Sequence, residues 1–252
     1  MASFPYALAG PIGSRATLGL IVLQVDETIE HDFRRLFPSA DIALHVSRVP
    51  SGAELNPDTI ATMEIALPEA AHLLPPAARF DVIGYGCTSG TTLIGAERVA
   101  ALVRKGAETR HVCDPLTASL AAMEMLGTRQ VAIVSPYIDS VSEPIRAAFQ
   151  RHGLRVPASV SFGEEVEARV ARIDPASIRD AALSIGQTPD VDAVFLSCTN
   201  LRTLDIVQDL EATLGKPVLS SNQVLAWQMA RLAGGIAMPT APGALFRRGR
   251  AE

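Results

Sequence analysis

Six short apolar runs, separated by stretches with helical spacing, constrain the fold of this chain more than any other feature of its sequence. Short runs rich in β-branched residues are typical of parallel strands that are buried on both faces. The runs are Leu18–Leu23, Ile42–Val46, Val82–Tyr85, Val131–Val134, Ala193–Leu196 and Pro217–Leu219. The clearest helical stretches are Glu97–Lys105, Leu116–Leu126, Pro144–His152, Ile178–Ile185, Leu204–Leu214 and Val224–Leu232. The alternation predicts βαβ units, and therefore an α/β fold with mostly parallel sheets.

Glycines follow or close several of the helical stretches. Gly106, Gly127, Gly153 and Gly215 stand where helix C-caps belong. Because a C-cap residue often adopts the left-handed conformation, these positions predict helix ends.

The chain also repeats part of itself. Residues 80–89 resemble residues 191–200, and in both segments an Asp precedes a Cys by six residues and a Thr follows the Cys. The offset is 111 residues at Cys87 and Cys198 and 113 residues at Asp26 and Asp139. Two pairs at nearly one offset favour a duplicated α/β half over chance similarity.

The duplication predicts two similar, flavodoxin-like α/β halves, related by a pseudo-two-fold axis, with the active site in the cleft between them. We assign residues 1–16 to an N-terminal extension, 17–115 to the first half, 116–222 to the second half, and 223–252 to a C-terminal helix and tail. The C-terminal helix is expected to return to the first half. The proline-rich segment Ala66–Ala78 is expected to be a surface or interface element, compatible with a homodimer or higher homo-oligomer.

Composition excludes several classes of partner. The net charge is −5 and no basic run is longer than Arg247–Arg250, so a nucleic-acid partner is not expected. Three cysteines are too few and too scattered for a disulfide framework. No apolar run approaches the roughly 18 residues that span a membrane, and the N-terminus lacks a positive leader region. We therefore expect a cytoplasmic protein with no membrane partner.

Cys87 and Cys198 both stand where an apolar strand ends. In open parallel sheets, ligands bind beyond the carboxyl ends of the strands, so the two thiols are expected to face each other across the cleft. The first loop reads Gly84-Tyr-Gly-Cys-Thr-Ser-Gly90, and Thr199 and Asn200 follow the second cysteine. Such backbone N–H and hydroxyl donors suit a carboxylate or an enediolate. Cys113 is interpreted as a buried small apolar residue.

Other interpretations of these residues are weaker. Gly84-x-Gly86-x-x-x-Gly90 differs from the dinucleotide fingerprint, since its third glycine is one place late. A cysteine hydrolase needs a histidine base, and none of the five histidines stands at a repeated strand end. Metal-ligand spacings are absent from the sequence, so no cofactor or metal is expected.

Nearly the whole chain, from about Leu18 to Phe246, resembles the Asp/Glu racemase superfamily. Within it, the chain is similar to the maleate cis-trans isomerase and arylmalonate decarboxylase branch. The resemblance rests on Gly84–Gly90, Ser135–Asp139, Leu196–Asp205, Gly215–Asn222 and Arg231–Gly235. It implies two similar α/β domains with a cleft between them, which agrees with the duplication.

The resemblance also implies roles for individual residues. Cys198 matches the proton donor of the family, and Cys87 matches a second cysteine that racemases and maleate isomerases have and arylmalonate decarboxylases lack. Thr88, Ser89 and Tyr137 match residues that hold a carboxylate and its enediolate. Ser135 and Thr117 match further positions that line the cleft.

The segment after the first strand departs from the family pattern. Asp26 and Glu27 are unexpected beside an anionic substrate and could recognise an ammonium group instead. Alternatively, Asp26 or Thr28 simply caps the next helix.

These observations predict a two-cysteine isomerase or racemase that acts on a small carboxylate or dicarboxylate. Cys87 is expected to be the thiolate, activated by N–H groups of the glycine-rich turn and helix N-termini, while Cys198 stays protonated. One alternative is an arylmalonate-type decarboxylase in which Cys198 protonates an enediolate. An alternative of another class is a non-catalytic protein that binds small acids.

Overall fold

Each predicted half of the chain contains one four-stranded parallel sheet in the computed structural model, which describes residues 3–54 and 56–248. The first sheet has the order β2-β1-β3-β4 and the second has the order β6-β5-β7-β8, so the two halves share one topology. The strands are β1 (Ala16–Leu23), β2 (Ile42–Val49), β3 (Phe80–Gly86), β4 (Thr109–Cys113), β5 (Gln130–Ser135), β6 (Arg155–Ser161), β7 (Ala193–Leu196) and β8 (Val218–Ser220). The predicted α/β class with two parallel sheets is confirmed. Arg250 of the basic run, and the ends of the predicted N-terminal extension and C-terminal tail, lie outside the described residues.

Helices connect the strands and cover the sheets. They are α1 (Ile29–Leu36), α2 (Pro57–His72), α3 (Thr88–Ile94), α4 (Ala96–Gly106), α5 (Pro115–Leu126), α6 (Asp139–Arg151), α7 (Glu167–Val170), α8 (Pro175–Gly186), α9 (Val207–Leu214), α10 (Ser221–Leu232) and α11 (Ala244–Arg248). Within the described part of the chain, no helix is long and apolar enough to cross a membrane.

The two repeated aspartates, Asp81 and Asp192, bind backbone N–H groups at the start of the first strand of each sheet. Asp81 accepts a hydrogen bond from the N–H of Thr17 at 2.9 Å. Asp192 accepts from the N–H groups of Arg129 and Gln130 at 2.9 and 2.8 Å. In both halves, the Asp beside the third strand of the half therefore satisfies backbone donors at the start of the first strand.

Gly106 does not have the predicted C-cap role. Gly127, Gly153 and Gly215 have φ values of 73°, 84° and 64° at or directly after helix ends, as expected. Gly106 instead closes α4 without a positive φ, and a Cβ built on it would lie 2.0 Å from the carbonyl oxygen of Pro68. The glycine is required because α4 packs closely against α2.

The proline-rich segment Ala66–Ala78 is not simply a surface element. Its first half is the end of α2, where Leu67, Ala70 and Ala71 are buried in the core. Only part of this region is open to solvent, and Leu73 is 74% exposed. The interpretation as a surface element is therefore wrong for its buried face.

α10 joins the two halves. It follows β8 of the second sheet, yet it packs against α5 and against β3 of the first sheet. A Cβ on Gly84 of β3 would lie 2.7 Å from the sulfur of Met229 in α10, so the glycine lets α10 approach β3 without displacing the Met229 side chain. The start of α10 lies beside the ends of both β3 and β7, because the Ser221 hydroxyl hydrogen-bonds to Thr88 and accepts from the N–H of Cys198.

Candidate active site

Cys87 directly follows β3 and is the N-cap of α3. Its sulfur accepts a hydrogen bond from the N–H of Gly90 at 3.1 Å and lies 3.5 Å from the hydroxyl of Ser89. A Cβ on Gly90 would lie 2.6 Å from the Tyr85 hydroxyl and 2.9 Å from the Cys87 sulfur. The glycine-rich turn is thus needed to bring an N–H group and two hydroxyls to this thiol.

Cys198 follows β7, but no helix begins directly after it. Its sulfur accepts from the N–H of Asn200 at 3.4 Å, and its own N–H donates to the hydroxyl of Ser221 at 3.1 Å. The Tyr137 side chain lies close enough to this sulfur to lower the pKa of the thiol, against the larger raising effect of burial. The second thiol therefore lies in a turn built from both β7 and the start of α10.

The structure brings the two cysteine loops together. Thr199 donates to the carbonyl oxygen of Gly86 at 3.2 Å, which joins the residues beside the two cysteines. The hydroxyl of Thr88 lies 2.8 Å from that of Ser221, the same hydroxyl that binds the N–H of Cys198. The pKa of Tyr137 is raised, first by burial and then by the charges of both thiols. Both sulfurs therefore lie within electrostatic reach of one hydroxyl.

Burial opposes ionisation of both thiols. It raises the pKa of Cys87 to about 11 and that of Cys198 well above its usual value, although hydrogen bonds from Ser89 and Gly90 act the other way on Cys87. The N–H of Gly90 lowers the pKa of Cys87, as predicted, but desolvation outweighs it and the pKa remains above its usual value. Cys87 remains the better placed to ionise, since its N–H contact is shorter and it caps a helix.

Glu167 is a cleft residue that the sequence analysis missed. Its side chain is buried and accepts a hydrogen bond from the Asn200 amide at 2.7 Å. Burial raises its pKa to about 7, and its charge raises the pKa of both cysteines. Glu164, Glu165 and Glu167 form an acid-rich stretch in the sequence, a pattern typical of exposed surface, so only the folded chain reveals the position of Glu167.

Asp26 is both a helix cap and a buried acid. One carboxylate oxygen accepts from the N–H groups of Thr28 and Ile29, each at 2.8 Å. The other oxygen, Oδ2, is buried and makes no hydrogen bond of good geometry among the described residues, although Thr199 lies close enough to lower the Asp26 pKa that burial raises. Thr28 does not cap α1 with its side chain but donates to the carbonyl oxygen of Asn200 at 3.0 Å. Glu27 points elsewhere and pairs with Arg172 at 2.7 Å.

Ser135 and Thr117 form hydrogen bonds to neighbouring residues, and neither forms one to a cysteine sulfur among the described residues. The Ser135 hydroxyl donates to the Ser161 hydroxyl at 3.2 Å, and the Ser161 hydroxyl donates to the carbonyl oxygen of Tyr137. Ser135 is therefore connected to the backbone of Tyr137 through Ser161. Thr117 donates to Asp114 at 2.7 Å at the start of α5. Both hydroxyls thus have hydrogen-bond partners within their own half of the chain, and their place in the cleft stays a prediction. Cys113 is buried at the end of β4, and no metal-ligating group of side chains occurs among the described residues.

Known proteins resemble this chain in sequence over most of its length. The sequence profile of the arylmalonate decarboxylase family matches residues 67–246. The arylmalonate decarboxylase of Bordetella bronchiseptica is 32% identical over 225 residues, covering 88% of this chain and 92% of the relative. The maleate isomerase of Alcaligenes faecalis is 24% identical over 232 residues, covering 86% of this chain and 90% of the relative.

A solved structure shares the fold. The maleate cis-trans isomerase of Nocardia farcinica, solved as a mutant with a covalently bound succinylcysteine intermediate, superposes with a TM-score of 0.82. The two sequences are 24% identical, and the match covers 92% of this chain and 98% of the isomerase.

Proposed function

This chain belongs to the arylmalonate decarboxylase family, and on that premise we propose that it is a cofactor-independent, two-cysteine isomerase or racemase of a small carboxylate or dicarboxylate. The observation that carries the proposal is the junction of the two cysteine loops. Thr199 binds Gly86, and Ser221 links Thr88 to the N–H of Cys198. One bound acid could therefore reach both sulfurs.

As a racemase, the enzyme would use Cys87 as the base. The thiolate removes the α-proton, and the electron pair of the broken C–H bond moves into the carboxylate to form an enediolate. Hydroxyls of Thr88, Ser89 and Tyr137 stabilise this charge. Cys198 then delivers its own proton to the other face of the carbon, so the configuration inverts and the two thiols exchange protonation states.

As a cis-trans isomerase, the enzyme would use Cys87 as a nucleophile. The thiolate forms a C–S bond to one alkene carbon, and the alkene electron pair moves into the adjacent carboxylate. The former double bond rotates, the electron pair returns, and the C–S bond breaks to release the thiolate. Cys198 can protonate the carbanion transiently in this version.

Decarboxylation is the second candidate. It is supported by the relative named arylmalonate decarboxylase, which is 32% identical to this chain. Loss of carbon dioxide from a malonate-type acid leaves an enediolate, and a single protonated thiol, Cys198, can supply the proton. This chemistry does not need Cys87.

Three cysteine variants test the proposal. Each is assayed for exchange of the α-proton with deuterium, for conversion of maleate to fumarate and for release of carbon dioxide from phenylmalonate. We expect Cys87→Ser and Cys198→Ser to abolish conversion of maleate to fumarate or net inversion of configuration, with α-proton exchange confined to one enantiomer, while Cys113→Ser, the buried control, keeps the wild-type activity.

The other outcomes identify the rivals. Carbon dioxide release that survives Cys87→Gly but not Cys198→Ser would establish the decarboxylase. Ligand binding without turnover, unaffected by loss of both thiols, would establish a non-catalytic binding protein and overturn the proposal.

A further inference from the structure

We propose that Tyr85 is a positioning residue for Cys87, and that its buried hydroxyl donates a hydrogen bond to the Cys87 sulfur when the thiol ionises. Tyr85 would then stabilise the thiolate from the protein core, whereas the residues discussed above hold the substrate. This inference rests on the proposed function, in which Cys87 acts as a thiolate.

The first observation is that Tyr85 and Cys87 border the same small space. Tyr85 is a fully buried residue of β3, two positions before Cys87. Cys87 itself has an extended backbone, with φ −150° and ψ 111°, so the two side chains point to the same face of the sheet. A Cβ built on Gly90 would lie 2.6 Å from the Tyr85 hydroxyl oxygen and 2.9 Å from the Cys87 sulfur. The absence of a side chain at Gly90 therefore keeps the hydroxyl and the sulfur together.

The second observation is that the Tyr85 hydroxyl has weak acceptors beside it. The sulfur of Met63 accepts a hydrogen bond from it at 4.0 Å, and both a thioether and a neutral thiol are weak acceptors. Burying a hydroxyl without a strong partner costs free energy, so a phenylalanine would fill this apolar site at lower cost. A thiolate is a strong acceptor, and the hydroxyl is therefore better satisfied once Cys87 ionises.

The third observation concerns the other donors around Cys87. The Ser89 hydroxyl lies 3.5 Å from the sulfur, but it has one proton, which the proposed function assigns to the charge on the substrate. The N–H of Gly90 stays on the sulfur at 3.1 Å. Tyr85 is a further donor, and its ring is fixed in the core beside Met63, so the substrate does not compete for its proton.

The electrostatics of the pair agree with this geometry. Burial raises the pKa of Cys87, and Tyr85 is one of the neighbours that act in the opposite direction. Burial also raises the pKa of Tyr85, and the charge of Cys87 raises it further. The phenol therefore keeps its proton while it donates, and the negative charge stays on the sulfur.

The test measures the ionisation of Cys87 without requiring turnover. In a background of Cys113→Ser and Cys198→Ser, Cys87 is the one remaining thiol, and mass spectrometry follows its alkylation by iodoacetamide from about pH 7 to about pH 9. We expect Tyr85→Phe to slow the alkylation about fivefold or more at each pH. The lost hydrogen bond lowers the thiolate population by about tenfold or more, and the greater nucleophilicity of a more basic thiolate offsets part of this loss.

Two further variants separate the hydrogen bond from packing. Tyr85→3-fluorotyrosine has a more acidic hydroxyl that donates more strongly, so it should speed the alkylation. A role in packing alone would give no such opposite effects of the two substitutions. Thr91→Val is the matched control, because the buried Thr91 hydroxyl binds the carbonyl oxygen of Cys87 at 2.8 Å and not its sulfur. This variant should keep the rate of the background protein.

Three results would overturn the inference. The first is an unchanged rate in Tyr85→Phe, and the second is an equal loss of rate in Thr91→Val. The third is a rate in Tyr85→3-fluorotyrosine that is no higher than that of the background protein, and this variant decides alone should Tyr85→Phe fail to fold. Alkylation does not depend on turnover, so failure of the proposed function in the cysteine assays is distinguishable from failure of the Tyr85 role.

Discussion

At the scale of single residues, burial sets the chemistry of Cys87 and Cys198. Both side chains are almost fully buried, and the raised pKa of each thiol follows from desolvation before any hydrogen bond acts. The cysteines themselves were predicted from their strand ends. Their protonation was not, because the dielectric environment of a side chain depends on the whole packed structure around it.

Glu167 should make stability depend on pH. Its pKa is about 7 in the folded chain against an ordinary value of 4.5, so between these pH values the folded protein holds a proton that the unfolded chain has lost. The free energy of unfolding should therefore fall as pH rises from about 4.5 to about 7, and this contribution should then level off.

In Glu167→Gln, the decrease in unfolding free energy over that pH range should be smaller by about 2–3 kcal/mol, measured by urea denaturation at each pH. Glu69→Gln, on the exposed face of α2, is the control and should keep the wild-type profile. Identical profiles for wild type and Glu167→Gln would contradict the assignment.

At the scale of elements, the strands buried on both faces were predicted and the polar edge strands were not. β4 and β6 lie at the edges of their sheets. β4 exposes two adjacent side chains, and β6 exposes every second side chain over its first five residues. Such strands lack a continuous apolar run, and the pattern by which buried strands are recognised is therefore absent.

The contact between α4 and α2 is an element-scale prediction. Gly106→Ala would place a Cβ 2.0 Å from the Pro68 carbonyl oxygen, so the two helices must separate. We expect a loss of about 1–3 kcal/mol in unfolding free energy, measured by urea denaturation. Gly10→Ala is the control, because a Cβ there has no atom within 4 Å. Equal stability of the two variants would show that the close approach is unimportant.

At the scale of the whole molecule, the two halves are held together by polar contacts at the cleft and by α10. Asn200 bonds to Glu27 and Thr28 of the first half and to Glu167 of the second half. Asn200 therefore joins the two halves and also contacts the Cys198 sulfur through its backbone N–H. A substitution that weakens the contact between the halves should for this reason also disturb the surroundings of the thiol.

Asn200→Ala should destabilise the chain by about 2–4 kcal/mol, because several buried hydrogen bonds are lost and the Glu167 carboxylate loses its amide donor. Arg35→Ala removes another contact between the halves, the ion pair with Asp205, but this pair is exposed and should cost less than about 1 kcal/mol. Thermal and urea unfolding measure both. The prediction fails if the exposed pair proves the more important contact.

Sequence by itself determined the α/β class, the repeated halves and the two cysteines at strand ends. Each of these features follows from a pattern that can be recognised in the sequence. The patterns are apolar runs, helical spacing and a motif that recurs after 111 residues at Cys87 and Cys198. Tertiary structure alone decided that Glu167 faces the thiols, that Oδ2 of Asp26 makes no hydrogen bond of good geometry among the described residues and that Ser135 and Thr117 have hydrogen-bond partners within their own half of the chain. Those outcomes depend on desolvation and on which distant residues meet, and neither is encoded in any short stretch of sequence.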